Sequence, residues 1–180
     1  MHPILTLASS AINPNIGPEH RKRLLYIDQC DFSRYFAKAV ELGLGPHDVD
    51  GEAIVFGLKQ YYAIAMLDPA NGHAISDVLD PLWHAHMLFS EEYEAFCNKV
   101  VGQYMHHAPL RKDDTVMLRR VRVLYDYTLR RLRECFRNVD ERVWPTLPDE
   151  RLICLHKGNQ DTYTALQEYR LYAPVPALAT

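Results

Sequence analysis

Residues 75–109, ISDVLDPLWHAHMLFSEEYEAFCNKVVGQYMHHAP, gather more potential ligands than any other stretch of this 180-residue chain. His84, His86, His106 and His107 fall inside it, four of the nine histidines, and His73 sits just upstream. Asp80 and His84 are four residues apart, so on a helix they share one face one turn apart. That spacing can present a carboxylate and an imidazole to one divalent ion. His84 and His86 are two apart, which turns them about 200° from each other on a regular helix. They therefore cannot both ligate one ion unless the backbone leaves the α conformation.

The third ligand has to come from elsewhere. A helix running through Trp83–Phe89, a break at Ser90 and a second helix to about Val101 make a hairpin. Ser90 followed by Glu91 and Glu92 reads as a cap with acids at the positive end of the dipole, and Gly102 reads as a C-terminal stop. A chain that folds back beyond Gly102 brings His106 or His107 to Asp80 and His84. Asp80, His84, His106 and His107 are the candidate metal ligands, with zinc or non-haem iron the cofactors such a donor set suits. His86 is the candidate catalytic residue, as an acid–base group beside the ligands. A cation there with open positions activates water or oxygen.

Plainer readings fit the same residues. Asp80-Pro81 is also a helix cap followed by proline at the first helical position, and Ser76 could cap earlier, leaving Pro81 to kink the helix. Trp83 reads as core. His84 and His86 could be buried and bonded to carbonyls, and His106-His107 a polar turn before Pro109.

The elements that must position these residues read as helical throughout. Residues 1–17, with Pro3, Asn13, Pro14 and Gly17, form an irregular lead-in. From Pro18, apolar residues recur at helical spacing through Leu42, with a break near Gln29–Asp31 dividing two helices; Gly43 and Gly45-Pro46 end the run. A helix is expected over 48–67 with a buried stripe of Ile54, Leu58, Tyr61, Tyr62, Ala65 and Met66, closed by Asp68-Pro69 and an Asn71-Gly72 turn. A long helix over 113–137 puts Met117, Val121, Leu124, Tyr125, Thr128, Leu132, Cys135 and Phe136 inward and Arg119, Arg122, Arg130, Arg133 and Arg137 outward. Trp144-Pro145, Leu147 and Pro148 read as a linker, short helices follow at 149–156 and 161–172, and residues 173–180 form a loose tail. The fold expected is all-α: a single-domain irregular bundle of about six to eight helices over 18–172.

Composition narrows the functional classes. The chain is 48% apolar and 24% charged with a net charge of −3, ordinary for a globular domain with a sizeable core and without a global pull toward nucleic acid. No run approaches the roughly 18 apolar residues that cross a bilayer, and the mildly apolar N-terminus lacks the basic leader of a secretory signal. Cys30, Cys97, Cys135 and Cys154 are widely spaced, which points to reduced thiols and a cytoplasmic setting. GxxxxGK[ST], GxGxxG, HExxH and GxSxG are absent, so phosphate-loop, dinucleotide, zincin and serine-hydrolase chemistries have no support. The arginine face of the long helix reads first as a solvated surface, and secondarily as a grip on phosphates or an acidic protein partner.

The pattern Tyr61-Tyr62, Asp80-Pro-Leu-Trp83-His84-Ala-His86-Met-Leu88, Tyr93-Glu-Ala-Phe96-Cys97, Gly102 and His106-His107-Ala-Pro109 resembles the glycine-rich-domain-containing-protein-like family over about 50 residues. The resemblance implies a helical domain whose polar residues belong together. It implies little about activity, and with only eight glycines the glycine-rich and RNA-binding-like segments of plant members have no counterpart. Two functional readings stand first: a small metal-dependent protein with hydrolytic or oxidative chemistry, or a metal-free interaction module whose histidine–tryptophan cluster is structural; a third and weaker one is nucleic-acid binding by the arginine helix.

Overall fold

The computed structural model describes residues 6–12, 16–44, 49–108, 115–146 and 154–157, with residues 115 and 154–157 described by their backbone. The described residues are predominantly helical: α1 (Leu7–Ser10), α2 (Pro18–Gln29), α3 (Ser33–Glu41), α4 (Gly51–Leu67), α5 (Asp80–Leu88), α6 (Ser90–Val100) and α7 (Thr115–Cys135). The all-α expectation holds. The break between α2 and α3 falls at residues 30–32, where the spacing placed it.

Helix α4 is the centre of the bundle. The expected stripe is buried, but so are Gln60, Ala63 and Ile64 between its members. A helix buried on every side is surrounded by others, and α4 touches α1, α2, α3, α5, α6 and α7. Asp50 caps its start by accepting a hydrogen bond from the Glu52 N–H at 3.3 Å. Helix α7 buries Val121, Leu124, Tyr125, Thr128, Leu129, Leu132 and, just beyond it, Phe136, and leaves Arg119, Arg130, Arg133 and Arg137 exposed; Met117 and Cys135, expected inward, and Arg122, expected outward, are half-buried at its margins. The lead-in carries one helical turn, α1, whose N–H groups at Leu7 and Ala8 are accepted by the Asp28 carboxylate. Its far end is strapped to the end of α7 by Ile12 N–H to Cys135 O and Arg137 N–H to Ser10 O, both 2.8 Å.

The helices are joined by a small antiparallel sheet that the sequence reading did not include: β1 (His73–Ile75), β2 (His106–Ala108) and β3 (Cys154–Lys157), in spatial order β1-β3-β2. The helix expected over 149–156 is thus corrected, since residues 154–157 pair as the central strand. Strands of three or four residues are too short for a two-residue periodicity to register, and all three residues of β1 are buried, which erases the alternation altogether. The helix expected over 161–172 and the tail lie outside the described residues.

Trp144, read as part of a linker, is fully buried between Tyr61 and Tyr125. The turn carrying it holds Val143 against Gly57 of α4, where an added Cβ would lie 2.4 Å from Val143 Cγ1 and 3.1 Å from a Leu79 methyl. Glycine inside a helix ordinarily lowers stability by about 0.5–1 kcal/mol relative to alanine, but overpacking a filled core costs about 1–3 kcal/mol. Gly57→Ala is therefore expected to destabilise the fold by about 1–2 kcal/mol, read as a fall in thermal midpoint of roughly 2–8 °C; a midpoint raised by the substitution would contradict this packing.

Candidate metal centre

Helix α5 begins one residue earlier than a capping role for Asp80 would need. Leu79 occupies the cap position, Asp80 is the first helical residue and Pro81 the second, where its missing N–H leaves no bond unmade. The turn before it is closed by Ser76, whose carbonyl accepts the Asp80 N–H at 3.0 Å and whose hydroxyl donates to Val143 O at 2.7 Å. Relieved of capping, the Asp80 carboxylate faces the next turn, with Oδ2 3.1 Å from His84 Nδ1. On its other side Oδ1 is 3.5 Å from His107 Nε2. One ligand atom from each of Asp80, His84 and His107 lies within 4.8 Å of the other two. The His84 and His107 rings meet edge to face, centroids 4.4 Å apart.

His107 arrives by the fold-back beyond α6. Phe89, rather than Ser90, holds the cap position of α6 and no side chain bonds there. Gly102, at φ +92°, ends the helix with its N–H reaching back to Cys97 O at 3.0 Å, a backbone conformation that glycine adopts without strain. The chain then returns under a buried chain of hydrogen bonds: Trp83 Nε1–H donates to the Tyr93 hydroxyl at 3.0 Å, and Tyr93 donates to Met105 O at 2.7 Å. Burial, with the Cys97 thiol beside it, pushes the Tyr93 phenol far up despite the Trp83 hydrogen bond, so it stays protonated and can donate. Met105 is thereby fixed two residues before His107, whose ring packs edge-on against Trp83 at 5.1 Å.

The structure brings together Asp80, His84 and His107 and leaves His106 out. Adjacent residues of a strand point to opposite faces; His106 is exposed and its ring lies against Tyr104. His86 is also separate. The two-residue step turns it from His84 into the core, where it is 1% exposed and lies 4.2–5.7 Å from the rings of Phe32, Tyr35, Tyr62, Tyr93 and Phe96. The fully buried Tyr62 hydroxyl is 2.7 Å from His86 Nδ1. A buried phenol proton needs an acceptor, so Tyr62 donates, Nδ1 accepts and Nε2 carries the ring proton. Burial, with the Arg34 guanidinium nearby, pulls the His86 pKa down to about 3, and the ring is neutral.

His84 is shifted the opposite way: its hydrogen bond to Asp80 raises its pKa, outweighing the desolvation of a half-exposed ring. Tyr93 stands in the sequence pattern without a role assigned to it and Met105 has no local signature; their importance comes from contacts across the α5–α6 hairpin, ten residues or more apart. A second polar cluster was equally hidden. Asp68 accepts from Asn71 at 2.7 Å and from the Tyr127 hydroxyl, and lies 3.4 Å from Arg131 Nε and 3.6 Å from His73 Nε2, tying α4, β1 and α7 together. The Arg131 and Arg133 side chains of the long helix are engaged by acids, Arg131 by Asp68 and Glu134 and Arg133 by Glu141.

A family model described as UCP032817-like matches residues 22–149, and the chain belongs to that uncharacterised family. This corrects the resemblance to the glycine-rich-domain-containing-protein-like family, which rested on a segment of about 50 residues, whereas the match spans most of the chain. No curated protein and no solved structure matches significantly. Among the described residues no helix is long and apolar enough to cross a membrane.

The Asp80–His84 pair has a signed pH dependence. Because the folded pKa of His84 is raised, its stabilising contribution is complete below about pH 6.5, the unfolded value, and is lost as pH rises through the folded value. For a half-exposed pair it amounts to under about 1 kcal/mol. In metal-free protein, NMR titration should place His84 above 6.5 in the wild type and lower in Asp80→Asn, with the stability gap between the two narrowing as pH rises. An unchanged His84 titration in Asp80→Asn would show that the carboxylate does not govern it.

Proposed function

We propose that this protein binds one divalent transition-metal ion through Asp80, His84 and His107. The observation that carries the proposal is the convergence of one carboxylate and two imidazoles, from a helix and a strand, with their ligand atoms inside 4.8 Å of one another. The donor set suits zinc or a non-haem iron. His107 Nε2 adds a second support: it is buried and makes no hydrogen bond, which leaves its lone pair available to a cation. A bound ion with open positions supplies Lewis acidity for hydrolytic or oxidative chemistry.

Each residue then has a defined task. Asp80 orients both imidazoles and neutralises charge at the ion. Trp83 and Tyr93 set the approach of the strand that bears His107. His86, enclosed by rings and neutral, serves the packing of α5 and not proton transfer at the ion. On the His86 side of α5 a separate cleft of about 490 Å³ opens, lined by residues that include Arg34, Tyr35, His86 and Glu92.

One observation favours a metal-free reading instead. Asp80 already lies within ion-pairing distance of both histidines, so a protonated imidazole can balance its charge without a cation. The cluster would then brace an interaction module, with Leu25, Val40, Leu42 and Leu44 exposed as apolar contact points.

Elemental analysis of protein purified after zinc or iron supplementation separates the two. The metal reading predicts about one ion per chain, and a thermal midpoint lowered by chelation. Binding at a hundredfold excess over Kd stabilises by about 2.7 kcal/mol, roughly 5–11 °C for a chain of this size. His84→Ala and His107→Ala should lose the ion and the chelator response, while His106→Ala keeps both. Protein without bound metal and with a midpoint indifferent to chelation would leave the metal-free module as the function.

A further inference from the structure

The cleft on the His86 side of α5 has the attributes of a second site, independent of the metal-binding reading. Its volume of about 490 Å³ falls within the range of pockets that hold small molecules, about 300–1,000 Å³. The rings of Tyr26, Phe32, Tyr35 and Phe96 line it together with His86. Tyr35 tilts over His86 with centroids 4.2 Å apart, and Phe32 and Phe96 meet the imidazole edge to face at 5.3 and 5.2 Å. Such walls offer flat apolar faces on which another ring can stack.

A polar group of the interior reaches this cleft. His86 is 1% exposed, and its Nδ1 is taken by the Tyr62 hydroxyl. Because Tyr62 donates, the ring proton is on Nε2. Among the described residues no group accepts from Nε2–H, and Nε2 is not one of the fully enclosed, unbonded polar atoms. The sliver of His86 surface that stays open lies on the cleft it lines. A donor so nearly buried calls for an acceptor, and a ligand in the cleft can supply it.

The charges around the cleft answer one another. At the rim Arg34 of α3 pairs with Glu92 of α6, both about half exposed, and the Tyr35 hydroxyl donates to the same carboxylate at 2.8 Å. Lys59, 5.7 Å from the Phe32 ring, stands beside Asp28 and Asp31. His86 itself is neutral. No net field selects an anion or a cation.

We infer that this cleft binds a small, neutral, planar heteroaromatic molecule, stacked on the aromatic walls with a ring nitrogen or carbonyl accepting from His86 Nε2–H. Apolar walls alone discriminate little among flat rings; the imidazole donor makes the acceptor atom the selecting feature, since an analogue without one strands the donor. Tyr62 is a positioning residue, holding the tautomer that donates.

The test titrates the full-length chain with benzimidazole and with indole, followed by NMR. The two bicycles share one shape, are neutral at neutral pH and differ in one acceptor nitrogen. Benzimidazole should bind saturably and shift the His86 Nε2–H and the Phe32 and Phe96 ring signals. Indole should bind about tenfold more weakly, the factor one neutral hydrogen bond supplies. Ala95 lines the same cleft from an exposed position on α6, so Ala95→Trp fills the cleft without entering the core and should abolish binding. His86→Phe should bring benzimidazole down to the level of indole. Should that variant fail to fold for want of an acceptor for Tyr62, the probe pair and Ala95→Trp decide. Absence of saturable benzimidazole binding, equal binding of the two bicycles, binding retained in Ala95→Trp, or tighter binding of benzoate or benzylammonium overturns the inference.

Discussion

One buried hydroxyl holds the arrangement in place. Tyr93 accepts from Trp83 on α5 and donates to Met105 on the strand approach, so a single phenol spans three parts of the chain in the interior. With Tyr93 fully buried, neither bond competes with water, and a donor or acceptor stranded there would carry a penalty of about 1–3 kcal/mol. The hydroxyl uses both its capacities, and the geometry of the return beyond α6 follows. His107 stands where it does because Met105 is pinned, and Met105 is pinned because Trp83 and Tyr93 sit on facing turns of the α5–α6 hairpin.

Helix α5 shows how one short segment serves two environments. Its Asp80–His84 edge is half-buried and charged, while the opposite edge, carrying His86, is sealed among aromatic rings. The same imidazole chemistry gives opposite results on the two edges. Beside a carboxylate the ring holds its proton more tightly; among Phe32, Tyr35 and Phe96 desolvation strips it. The two-residue spacing of His84 and His86 is what divides these roles, since a helix turns them to nearly opposite sides.

The parts of this arrangement that a reader of the sequence could see are those encoded locally. Asp80 and His84 share a turn, Gly102 ends a helix, and the arginines of α7 recur at helical spacing, so each was visible. Which histidine of the 106–107 pair turns toward Asp80 was not, because that depends on whether the return is a turn or a strand. The strand itself is three residues long, and its partner lies nearly fifty residues further on, with no periodicity to announce either. The pairing that centres β3 between β1 and β2 is a property of the tertiary fold. The family match ends at residue 149, so β3 lies beyond the region it defines.

That central placement has a consequence for the order in which the molecule can be assembled. Among the described residues, β3 comes latest in the chain and lies between two strands that precede it by about eighty and fifty residues. As the polypeptide leaves the ribosome, helices α1–α7 can dock before either ladder has its partner. Until residue 157 has emerged, the backbone groups of His73–Ile75 and His106–Ala108 that belong to those ladders stay open to any extended segment nearby. Closure of the sheet thus waits on β3, and the interval before it is when another nascent chain could lend its own strand.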